Sequence, residues 1–125
     1  MMTFTSARRC PALWFIATLF VTPAVFAHAH LEHQYPAANA QVDAAPQALT
    51  LNFSEGIEAQ FSGLTLTGPG DTAIETGKAK RNEKDKKQLI VPLNQPLQPG
   101  DYHVEWHVVS VDGHKTKGHY RFSVR

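Results

Sequence analysis

Beyond its first 27 residues the chain contains no sulfur. Its single cysteine, Cys10, and both methionines, Met1 and Met2, lie in the opening stretch. Residues 28–125 therefore cannot form a disulfide, and they offer none of the thiolate or thioether donors that favour Cu(I). Other signals are missing as well. There is no helical period of useful length, no internal repeat and no domain-sized linker. Twelve Lys and Arg against eleven Asp and Glu give no basic excess for nucleic-acid binding. No glycine-rich phosphate loop follows a strand and opens a helix. Ser54 and Ser110 have no recognisable base, so nucleophilic catalysis has no support. The one apolar run, residues 13–20, is too short for a transmembrane helix.

That run reads instead as the middle of a secretory signal peptide spanning residues 1–27. Arg8-Arg9 supply the charged start, and Val25-Phe26-Ala27 supply a small-x-small cleavage site. Cys10 lacks the lead-in of a lipid-attachment site, and the arginine pair lacks the apolar residues that should follow a twin-arginine signal. Cutting after Ala27 removes both arginines, so the formal charge changes from +1 to −1. What remains, residues 28–125, is enough for one small domain with its own core.

Within that domain seven stretches alternate between apolar and polar residues, near 29–35, 47–53, 62–67, 72–79, 88–93, 101–111 and 117–124. Turn signals separate them, among them Gly68-Pro69-Gly70, Pro99-Gly100 and Gly113. Short strands at this spacing predict an all-β sandwich. The period of two assigns the inward faces: Leu49, Leu51 and Phe53; Leu64 and Leu66; Leu89, Val91 and Leu93; Tyr102, Val104, Trp106 and Val108; Tyr120, Phe122 and Val124. Leu97-x-Pro-Gly-x-Tyr102 reads as a tyrosine corner entering a late strand. Residues 78–87 set six basic side chains against Glu83 and Asp85. They read as a solvated hairpin tip guarding a sheet edge, with docking of an acidic partner as the alternative.

All seven histidines lie after residue 27. His103, His107 and His119 alternate away from the core positions and read as exposed strand residues. His28 and His114 differ. As a new N-terminus, His28 would offer one metal ion both its α-amine and its ring. Asp112 and His114, two apart around Gly113, add a carboxylate and a second imidazole. An N,O donor set without sulfur suits tetragonal Cu(II), which tops the divalent affinity order. A rival mode remains open: His28-Ala29-His30 could wrap Cu(II) with the amine, two deprotonated amides and the His30 ring, unless a strand occupies those amides.

The chain resembles the CopC family of periplasmic copper-binding proteins, in particular its YobA-like branch. The resemblance rests on the exported His28-Ala-His-Leu start, Tyr35-Pro-Ala, Leu49-x-Leu-Asn-Phe-Ser-Glu55, Leu97-x-Pro-Gly-x-Tyr102 and Trp106-x-Val-x-Ser-x-Asp-Gly-His114, followed by Gly118 and Phe122. It implies an immunoglobulin-like Greek-key β-sandwich or barrel of about seven strands. It also implies one Cu(II) ligated by His28, Asp112 and His114, with Glu55 as a further or supporting residue. The methionine loop that binds Cu(I) in some family members has no counterpart here. A CopD-type inner-membrane transporter is the partner the resemblance suggests, for a monomeric, periplasmic, non-enzymatic carrier or buffer. Two other functions stay open at this point. One is a copper oxidase built on a histidine brace; the other is a β-sandwich interaction module whose histidines are incidental.

Overall fold

A computed structural model describes Thr3 and residues 28–125. The segment read above as a signal peptide, with Arg8, Arg9, Cys10 and the expected cleavage site at Val25-Phe26-Ala27, lies outside the described residues, Thr3 apart. Among the described residues, nine strands build two facing sheets. They are β1 (Leu31–Tyr35), β2 (Gln41–Val42), β3 (Ala48–Phe53), β4 (Gly63–Thr67), β5 (Ala73–Ile74), β6 (Lys80–Asn82), β7 (Asp85–Pro92), β8 (Gly100–Val109) and β9 (Lys115–Val124). One sheet runs β1-β3-β7-β6 and the other β2-β9-β8-β4-β5. All pairings are antiparallel except β2 with β9.

The expected alternation sets the core. Leu49, Leu51 and Phe53 of β3 and Leu89 and Val91 of β7 face Tyr102, Val104, Trp106 and Val108 of β8 and Tyr120, Phe122 and Val124 of β9, all buried. Leu66 joins them, while Leu64 and Leu93 are only partly covered. Trp106 packs edge-to-face on Phe53 at 5.2 Å between ring centres. It pairs across the sheet with Gly118, whose missing side chain leaves room for the indole. The tyrosine corner forms: the Tyr102 hydroxyl donates to the Gln98 carbonyl at 2.6 Å.

Several boundaries differ from the sequence reading. The strand expected over 72–79 pairs only at Ala73–Ile74, on the edge of β4. Beyond it the chain leaves that sheet, and Thr76 bridges to Leu93 at the end of the opposite sheet. Residues 78–87 form the expected hairpin: β6 and β7 pair around Glu83 and Lys84, with β6 at the sheet edge.

One core group is poorly matched to its surroundings. The Tyr120 hydroxyl is buried with no hydrogen-bond partner among the described residues, and desolvation pushes its pKa up. A buried hydroxyl without a partner costs roughly 1–3 kcal/mol. Tyr120→Phe should therefore leave stability unchanged or raise it, by up to about 1 kcal/mol, in urea unfolding. A loss above that would show that the hydroxyl is bonded in solution.

Candidate metal site

Two separate pieces of chain bring His28 and His114 together. The first is the arm before β1. Residues 28–30 are too few to hold themselves in place, and neighbouring hydroxyls hold them. Ser54, just past β3, donates from its hydroxyl to the His28 carbonyl at 3.3 Å and accepts the His30 N–H at 3.0 Å. Its own N–H donates to the His30 carbonyl at 2.9 Å. On the other side, the Thr116 hydroxyl of β9 donates to the Ala29 carbonyl at 2.8 Å. Ala29 is buried between these two clamps.

The second piece is the turn from β8 to β9. Gly113 has φ of +87°, a conformation that costs glycine little and other residues more. It lets the chain reverse with the Ser110 N–H donating to the His114 carbonyl at 2.9 Å and the Gly113 N–H to the Ser110 carbonyl at 2.8 Å. Ser110 is fully buried and its hydroxyl donates to Asp112 Oδ1. The other carboxylate oxygen lies 2.9 Å from His114 Nδ1. The Ser110 hydroxyl, and after it the His114 ring, hold the Asp112 pKa down at about 2, against an ordinary 3.8. The carboxylate is thus ionised throughout the neutral range.

The two pieces meet. The His28 and His114 rings are 4.9 Å apart between centres and almost perpendicular, at 83°. Two imidazoles sharing one ion at about 2.0 Å from each nitrogen place their centres roughly 4.5–6 Å apart, so this spacing fits a shared metal. Nδ1 of His114 is turned to Asp112. A carboxylate behind a metal-binding imidazole is a common supporting arrangement, because it fixes the ring and raises its basicity. Asp112 is thus placed behind the His114 ring. Glu55 stands at the junction through its chain neighbours: Ser54 clamps the arm, and the Gly56 carbonyl accepts the Val111 N–H of the turn at 2.9 Å. Among the described residues no three His, Cys, Asp or Glu side chains already converge as a ready-made cage. The arrangement brings two imidazoles and a carboxylate close without gathering them around one point.

The rival amide-wrapping mode loses ground. It needs the His30 amide, which the Ser54 hydroxyl already holds, and the strand that follows begins at Leu31. Of the histidines on β8 and β9, His107 and His119 are exposed as the alternation predicts, while His103 is half-buried. The sequence reading overlooked three supporting hydroxyls. Ser54 and Ser110 both sit inside the quoted motifs, one residue before Glu55 and two before Asp112, and that adjacency was the available signal. Thr116 gave none, because its role depends on where β9 passes the arm.

Ser110 is open to a direct check. Ser110→Ala should move the Asp112 pKa up from about 2 toward 3.8, as followed by carboxyl NMR. The sign also fixes the stability window. A carboxyl depressed in the folded state adds stability above 3.8 that is lost as pH falls toward 2, so the variant should lose less on acidification over that range.

Comparison with known proteins agrees with this architecture. The CopC domain family matches residues 31–125. Protein YobA of Escherichia coli K12 is 69% identical over 114 residues, covering 91% of this chain and 92% of that protein. Copper resistance protein C of Escherichia coli is 36% identical over 106 residues, covering 79% and 82%. The crystal structure of PcoC, a methionine-rich copper resistance protein from Escherichia coli, superposes with a TM-score of 0.72 at 35% identity, covering 79% of this chain and all of that one. With its sandwich topology and most of its length matched in this way, the chain belongs to the CopC family.

Proposed function

We propose that residues 1–27 are a cleaved export signal and that residues 28–125 form a monomeric periplasmic domain that carries or buffers one Cu(II). In this reading His28 binds through its α-amine and ring, and His114 through its ring. Asp112 completes or supports the set, and Glu55 stands beside it. The observation that carries the proposal is the His28–His114 ring contact at 4.9 Å, made by residues 86 positions apart in the chain. The copper resistance proteins among its relatives support the choice of metal. Unlike the methionine-rich PcoC, this domain has no methionine after residue 2, which argues against a methionine Cu(I) site. Delivery to or from a CopD-type inner-membrane transporter is the partner reading, and copper is cargo here, without turnover.

Metal ligands bind in their deprotonated form, so affinity should rise as pH is raised. Mass spectrometry of the exported protein under native conditions tests the proposal. It should begin at His28 and hold one copper. A different N-terminus, or no retained copper, would overturn it.

A further inference from the structure

A second group of donors lies on the outer face of the five-stranded sheet, away from the arm and the turn. His103 and Glu105 are two apart on β8, so both point outward while Tyr102, Val104 and Trp106 point into the core. His119 on β9 stands directly opposite Glu105. His103 Nε2 is 3.6 Å from Glu105 Oε1. The His103 and His119 rings are 5.6 Å apart between centres and tilted by 32°. We propose that His103, Glu105 and His119 form a second divalent-metal site, for an ion of the zinc or copper type.

The argument is geometric. Neighbours at i and i+2 on a strand, with a third residue across the ladder, make a triangle on one sheet face. Its sides, about 5–7 Å between Cβ atoms, suit three side chains reaching one point. Donors on a tetrahedral ion at about 2.0–2.2 Å stand roughly 3.3–3.5 Å from each other. The His103–Glu105 pair, at 3.6 Å, is already near that separation. The ring spacing of the two histidines falls within the range for two imidazoles on one ion. The three donors do not yet converge, so His119, whose side chain is exposed, must turn to complete the set. Two imidazoles and a carboxylate are a zinc-type set with a fourth position left open.

The charges on the same face set the affinity. Asp101 and Glu105 favour a cation, while Lys117 and Arg121, on either side of His119, oppose it. This site should therefore bind more weakly than the proposed His28 site. By strand rise His119 lies about 16–17 Å from His114, which stands just before β9, too far for one ion to use both groups.

The test is a Zn(II) titration of the exported protein, with histidine ring resonances followed by NMR. His103 and His119 should shift together and saturate at one Zn(II) at this patch. His119→Ala and Glu105→Gln should each weaken that response by at least about tenfold. The His28 and His114 resonances should keep their own response in both variants, which separates failure here from failure of the copper proposal. The substituted side chains are exposed, and circular dichroism checks that the sheets remain. Unmoved His103 and His119 resonances at millimolar Zn(II), or shifts that persist unchanged in His119→Ala, would overturn the proposal.

Discussion

Adding one residue ahead of His28 is expected to weaken Cu(II) binding by at least about a hundredfold while leaving the fold intact. The reason lies in what only a terminal residue can supply. An internal histidine offers one ring nitrogen. A terminal one adds the amine, and the two together close a chelate ring on the ion. An extra residue converts that amine into an amide and carries the new amine away from the ring. Loss of residues that merely support a metal ligand typically costs 10–100-fold in affinity, so loss of a ligand should cost at least the upper end of that range. The fold should not suffer, because Ser54 and Thr116 clamp the carbonyls of His28 and Ala29 and the N–H of His30, none of which the extension changes. Competition with a chromogenic chelator, beside a thermal melt without metal, would separate the two effects. Bound copper should also raise the melting temperature of the unextended protein, by an amount that grows with the logarithm of ligand excess, and the extension should remove most of that rise.

Truncating Trp106 to Ala is expected to cost about 3–5 kcal/mol. Small domains are stable by only about 5–15 kcal/mol in total, so this is a large share of the stability. The indole is 8% exposed, lies edge-on against Phe53 and fills the space over Gly118. The pairing with Gly118 makes a sharper prediction. A Cβ at position 118 would stand 2.7 Å from indole Cε2, so Gly118→Ala overpacks the core and should cost about 1–3 kcal/mol. With the indole gone that clash has no partner. In the Trp106→Ala background, Gly118→Ala should cost almost nothing. A double-mutant cycle by urea unfolding reads the difference. Additive costs would mean that glycine is needed at 118 for its backbone and not for the space it leaves.

The core was legible because β3, β7, β8 and β9 are long enough for a period of two to register, and their inward residues were named correctly. The strands β2 and β6 escaped notice for the opposite reason. Two or three residues carry no alternation, and β2 is defined only by its parallel pairing with the end of β9. The stretch 72–79 misled because its pattern continues while the chain changes sheets after Ile74, a choice made by partners and not by local sequence. The candidate site divides in the same way. His28, Asp112 and His114 were visible from a cleavage pattern and a short motif. The hydroxyls that hold them were not, since the Thr116 contact with Ala29 spans 87 positions and exists only once the sandwich has closed.

The most direct test of the copper reading is pulsed electron paramagnetic resonance on the one-to-one Cu(II) complex of the protein beginning at His28, compared with His114→Ala and His30→Ala. The account predicts two coordinated imidazoles in the wild type and in His30→Ala, and one in His114→Ala. Two imidazoles persisting in His114→Ala, or a loss produced by His30→Ala, would contradict it.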